Sequence, residues 1–285
     1  MRGYPLFSVF LMSIGCGPGL ESDTPIPFTP PPETTGTLVD TVFVPQGTFA
    51  VLRVVGLEVK NPDEAHVFTD PDDDYFTQQT FTFLLSTMQP APEGVHLEEE
   101  TCVIDVSVIG GVDTLISDTL ISSLLSIPLD LTLSDLTPGS MVTSSPYGDL
   151  WGARLEDPIG DPLPTEATDP TSWDQDNDGE PGVTIVLWVD DRSLEFGTVY
   201  VAQRVVFLLE GTLLSPDEVA GWVRVQSAAQ TVLGAEQGYI EDFSPDVRPS
   251  PDASLSWFKM IRVDPSFTCS DLVDPAVQAD LFGLP

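Results

Sequence analysis

Asp174, Asp176 and Asp178 alternate in the polar stretch Trp173-Asp174-Gln175-Asp176-Asn177-Asp178-Gly179-Glu180-Pro181-Gly182. Alternating carboxylates converge on one point where the backbone turns sharply, and Gly179 supplies a turn. Hard oxygens gathered this way suit calcium, which takes about 6–8 of them. Asp169, Asp190, Asp191 and water are candidate sources for the remaining oxygens. The competing reading is a solvated turn rich in aspartate and glycine. Two other acidic groups, Asp70 with Asp72, Asp73 and Asp74, and Glu98-Glu99-Glu100, lack a glycine at that offset and read as solvated turns.

The triplet with its glycine resembles the first half of EF-hand, dockerin and thrombospondin type 3 calcium loops. The resemblance implies that Glu180 offers its backbone carbonyl at the seventh position. The twelfth position, a bidentate glutamate in EF-hands, is Ile185 here. Pro170 precedes the loop and an apolar run follows it, so flanking helices are not expected. A partial loop of this kind implies a structural calcium ion pinning a long loop to a sheet, bound weakly at about 10⁻⁴–10⁻³ M.

Other reactive residue types are sparse. His66 and His96 are the only histidines. Neither has the spacing of a zinc site or of H-E-x-x-H. No nucleophile elbow, phosphate-binding loop or dinucleotide fingerprint is present. Carboxylates are too numerous for any pair to mark a glycosidase. The chain therefore reads as non-enzymatic, with a hydrolase using an unrecognised carboxylate site as one alternative. With 45 acidic against 10 basic residues the formal charge is −35. Such a chain repels phosphate backbones, so nucleic acid is not an expected partner. It repels anionic lipid equally.

The N-terminus carries targeting chemistry. Arg2 precedes an apolar run from Tyr4 to Ile14, and Gly15 closes it as a small cleavage-site residue. The run is shorter than the ~20 residues a spanning helix needs. Met12-Ser13-Ile14-Gly15-Cys16 resembles the lipobox of bacterial lipoproteins. That resemblance implies a signal peptide over 1–15 and diacylglycerol on Cys16, which would hold the protein at a membrane through lipid. Gly17 is not the aspartate of inner-membrane retention, which implies the outer membrane, on its periplasmic or cell-surface side. Cys102 and Cys269 then remain as an even pair in an oxidising compartment, either bridged or as two buried thiols. The stretches DPLPTEATDP, DQDNDGEPGVT and YVAQR, with the late cysteine, resemble a group of uncharacterised bacterial lipoproteins with no known activity.

Positioning these groups falls to β structure. Residues 17–36 are rich in proline, threonine and glycine and read as a tether; with Cys16 they form a lipidated spacer of up to about 60 Å. A β domain is expected over 37–285. Strands are expected at 48–59, 76–85, 102–109, 183–189, 198–210, 219–232 and 255–263, from apolar runs and alternation. In 198–210 one face carries Val199, Val201, Val205, Phe207 and Leu209. Residues 111–126 fit a short helix or two short strands, and 275–283 fit a helix. Residues 156–182 fit either a divider between two β halves or one long functional loop. The expected fold is all-β: an antiparallel barrel, strongly curled sheet or sandwich with one or two short helices. Trp188, Tyr200, Trp222 and Trp257 lie on expected strands, where they either fill a core or line a cavity. A hollow barrel would make the protein a lipocalin-like carrier of an apolar ligand. A filled one would make it a binding or structural module. No residue pattern names a protein partner or small ligand.

Overall fold

The computed structural model describes residues 25–30, 42–60, 75–107, 112–124, 127–189, 194–237 and 246–284. Cys16, His66, the 70–74 acids, Asp190 and Asp191 lie outside these residues. The elements in chain order are β1 (Gly47–Lys60), β2 (Tyr75–Ala91), β3 (Gly94–Val106), β4 (Val112–Ile116), α1 (Asp118–Ser123), β5 (Ile127–Leu133), β6 (Met141–Ser144), β7 (Tyr147–Trp151), β8 (Val183–Val189), β9 (Leu194–Ser215), β10 (Glu218–Ala235), β11 (Val247–Pro249), β12 (Trp257–Val263), α2 (Cys269–Leu272) and α3 (Pro275–Phe282). Among the described residues no helix is long and apolar enough to cross a membrane.

The strands form a 12-stranded antiparallel sheet that closes on itself. The ring runs β1, β2, β3, β5, β6, β9, β10, β12 and back to β1. Closure removes the exposed edges that β9 and β10 would otherwise present. Period-two alternation then sorts every strand into an inner and an outer face. Phe49 and Val51 of β1, Leu84 and Met88 of β2, Phe207 and Leu209 of β9, and Phe258 and Met260 of β12 point into the ring and fill it. The same side of β9 further down, at Val199 and Val201, packs on Ile104, Ile116, Leu120 and Trp151.

The continuous apolar run of β1 has a separate cause. Ala50, Leu52 and Val54 face outward, but Leu272, Phe282 and Leu284 of the C-terminal helical segment cover them. A strand buried on both faces reads as unbroken hydrophobic sequence. The Cys102–Cys269 disulfide, with Cα atoms 5.0 Å apart, fastens α2 to β3.

Residues 111–126 are neither of the two expected forms alone. A strand ends at Ile116, and Ser117 then caps α1, its hydroxyl accepting from the Leu120 N–H at 3.1 Å. Strands β5, β6, β7 and β11 have no counterpart among the expected strands. Glu98-Glu99-Glu100 is no turn but part of β3. Alternation continues through it, so Glu98 and Glu100 are exposed while Glu99 points inward.

Inside the ring Glu99 meets Arg53 of β1 in an ion pair, with the two side chains 1% and 3% exposed. The guanidinium lies 4.9 Å from the centre of the Phe207 ring. Asp149 of β7 lies in the same field; burial raises its pKa, and Arg53 only partly opposes the rise. Burial likewise raises the Tyr147 phenol. Arg53 Nε, Glu99 Oε1 and Ser86 Oγ are buried without a protein hydrogen-bond partner. Removing one partner of a buried pair strands the other charge, whereas removing both does not. Arg53→Met alone is therefore expected to cost about 3–5 kcal/mol in urea unfolding, and Arg53→Met with Glu99→Leu markedly less than the sum of the single changes.

Candidate metal centre

The long loop exists because of how β9 is paired. Along one edge of β9 runs β10. Along the other run β6, β7 and β8 in series. Strand β7 ends with Trp151 opposite Gln203, and β8 starts with Val183 opposite Val201. The two strands run in the same direction on nearly adjacent registers. Residues 152–182 are thus an excursion from what is otherwise one interrupted strand. Strands before and after the loop pair with the same strand, β9.

The neck of the excursion is tightly built. Gly152, with φ +69°, and Gly182, with φ +89°, both lie against the carbonyl oxygen of Val201. A Cβ at either position would come within 2.3 or 2.4 Å of that oxygen. Gln175 ties the neck together. Its side-chain oxygen accepts from the Gly152 N–H at 2.8 Å, and its N–H donates to the Gly182 carbonyl at 3.0 Å. The loop also has apolar feet: Ala153, Leu155 and Leu163 rest on Ala202 and Leu233, on the outer face of β9 and β10. Arg154 stacks over the Trp173 ring at 4.1 Å.

This neck holds the three aspartates. One carboxylate oxygen from each of Asp174, Asp176 and Asp178 lies within 4.8 Å of the other two. Oxygens on one calcium ion, at about 2.3–2.6 Å each, can be up to about 5 Å apart, so the span fits. Asn177, with φ 59°, and Gly179, with φ 97°, give the left-handed bends that fold the triplet together. Asp174 accepts from the N–H groups of Asp178 (3.2 Å) and Gly179 (3.0 Å). Asp178 accepts from the Glu180 N–H at 2.9 Å and from the Thr184 hydroxyl.

Asp176 differs from its neighbours. It is 3% exposed, and one oxygen accepts the Thr184 N–H at 2.9 Å. The other, Oδ1, is buried with no protein partner. Burial chiefly raises its pKa, the Thr184 bond opposes the rise, and the charges of Asp178 and Asp174 add to it. A carboxylate with a free oxygen among two others is poorly placed without a counter-charge and well placed with one. The residues present fit a divalent cation. The negative field reaches β9, where Glu180, Glu236 and Asp178 add to the burial that raises the Tyr200 phenol.

The remaining expected site residues are distributed as follows. The Glu180 side chain is exposed and lies outside the carboxylate trio. Asp169 is occupied by its own turn, accepting from the N–H and hydroxyl of Thr171. Ile185 is buried in β8, where no glutamate stands. His96 pairs with Asp130 at 2.7 Å on the surface. The four strand aromatics do not gather inside the barrel. Trp222 and Trp257 meet outside it, around Phe28. The buried Arg53–Glu99 pair has one sequence signal: an arginine at an inward register position of an apolar strand.

No protein-family model matches this chain, and neither curated proteins nor solved structures include a match.

Gly182→Ala is expected to open the neck. Left-handed strain and overlap with the Val201 carbonyl together cost about 2–5 kcal/mol. Thermal melts check this, together with faster proteolysis within 152–182.

Proposed function

We propose that this chain is a lipid-anchored, extracytoplasmic β-barrel module, non-enzymatic, whose working surface is the 152–182 loop braced by calcium. The observation that carries the calcium reading is Asp176: a buried carboxylate with a partnerless oxygen, facing two further carboxylates within the reach of one ion. The anchor reading rests on Met12-Ser13-Ile14-Gly15-Cys16, with lipid on Cys16 and an outer-membrane location.

Two other readings have less support. A lipocalin-like carrier needs an empty apolar interior, and here Phe49, Phe207, Phe258 and Met260 occupy it. A carboxylate hydrolase gains nothing from the acid inside the ring, since Glu99 is 1% exposed and paired to Arg53.

The tether is shorter than its composition implies. Residues 25–30 lie against the barrel, with the Ile26 N–H donating to Gln79 at 2.6 Å and the Phe28 N–H to the Ser254 carbonyl at 2.8 Å. Only residues 17–24 then separate Cys16 from the docked segment, a reach of about 25 Å at about 3.1 Å per residue.

With a dissociation constant of about 0.5 mM, calcium at about 10 mM adds about 2 kcal/mol of stability. That is a rise of several degrees in Tm. The rise is expected in the unaltered chain and absent in Asp176→Asn. A proton on Asp176 competes with the ion, and burial makes Asp176 hold its proton to higher pH than an ordinary aspartate. The calcium-dependent rise is therefore full near neutral pH and shrinks on acidification, starting above the ordinary value of about 3.9. An unchanged melt at every calcium concentration rejects the brace. Cys16→Ser is expected to move the protein from the membrane to the soluble fraction; retention in the membrane rejects the anchor.

A further inference from the structure

We propose that the groove holding residues 25–30 is a peptide-binding site for an extended apolar–proline–aromatic segment, and that Ile26-Pro27-Phe28 is a ligand the chain supplies to itself. The groove reads the main chain. Gln79 of β2 is 0% exposed, and its amide grips Ile26 from both sides. Its oxygen accepts from the Ile26 N–H at 2.6 Å, and its nitrogen donates to the Ile26 carbonyl at 3.0 Å. The Trp257 indole N–H donates to the same carbonyl at 3.1 Å. The Phe28 N–H reaches the Ser254 carbonyl at 2.8 Å.

Proline spacing matches this pattern. The bound N–H groups are those of Ile26 and Phe28, and Pro25, Pro27 and Pro30, which have none, occupy positions where no donor is used. Side-chain selection falls on Phe28. Its ring meets Trp222 edge-on, with centroids 4.7 Å apart, and stacks on Trp257 at 6.0 Å. Aromatic-lined grooves that hold proline-rich extended chains at low entropic cost work in the same way.

Two features indicate a site rather than incidental packing. Without the segment, the Gln79 oxygen and Trp257 N–H would lose these bonds and stand ready for the main chain of another extended segment. The segment also leaves space: a cavity of about 300 Å³ remains beside it, bounded by Pro27, Phe28, Ala220, Trp257, Phe282 and Leu284. A ligand bulkier than Pro27-Phe28-Thr29 has room there. The cis segment acts at an effective concentration of about millimolar, so it excludes weaker ligands in trans until it is itself weakened.

The test uses a fluorescein-labelled peptide of residues 22–32 and full-length chains, with anisotropy as the readout. Phe28→Ala is expected to bind the peptide at least tenfold more tightly than the unaltered chain. Adding Trp222→Ala, or replacing the peptide's phenylalanine with alanine, is expected to abolish binding. Equal binding to the Phe28→Ala and unaltered chains, with near-ultraviolet dichroism showing both folded, overturns the proposal. So does binding that survives Trp222→Ala. If Phe28→Ala does not fold, a protease site placed within 31–41 of the unaltered chain replaces it. After cleavage the N-terminal fragment should stay with the barrel and be displaced by excess peptide but not by its alanine form. Loss of the fragment on cleavage, or retention against excess peptide, overturns the proposal.

Discussion

Strand β9 constrains everything around it. It pairs with β10 along one edge and with β6, β7 and β8 in turn along the other. The first pairing and the contact with β6 close the ring. The contacts with β7 and β8 leave two strand ends almost abutting on the Val201 side, with a long loop leaving and re-entering through that neck. Only glycine fits there, because the Val201 carbonyl occupies the space of a Cβ at both Gly152 and Gly182. The aspartate triplet sits just inside the neck, so its geometry is inherited from the pairing of β7 and β8 with β9 rather than from local sequence alone.

The ring fills its own interior. Aromatic and aliphatic side chains pack most of it, and a charged pair with a partly opposed aspartate occupies the remainder. A buried pair contributes little net stability but makes alternative registers costly, because a one-residue slip would turn Arg53 and Glu99 outward and bring other side chains in. The filled interior leaves the loop and the groove to the outer surface. The acidic loop rests on the outer face of β9 and β10. The Ile26–Phe28 clasp lies on the outer face beside Trp222 and Trp257.

Much of the fold was legible in the sequence. Alternation in β9 placed Val205, Phe207 and Leu209 on one face, and these point into the ring. The unbroken run of β1 was legible as a strand, but not its cause, which lies in the distant C-terminal helical segment. Strands β6 and β7 were missed because they have only four and five residues, and β5 because Pro128 stands second in it; their partners, not their own propensities, make them strands. Glu99 was misread because three consecutive glutamates resemble a solvated run, and only an arginine two strands away in the ring makes one of them an interior residue. For the candidate metal centre, the residue types and their spacing were legible. The burial of Asp176 was not, since it follows from the Thr184 N–H on a strand beyond the loop. Docking of residues 25–30 was likewise illegible, because proline-rich composition does not reveal a receiving groove.

Amide hydrogen exchange of Thr184, Asp178 and Gly179, with and without calcium, tests the central claim most directly, because each of these N–H groups donates to an aspartate of the triplet. Calcium should slow exchange at these three amides and leave the β1–β2 ladder unchanged. Exchange at the three that does not respond to calcium well above millimolar would contradict a cation-braced loop.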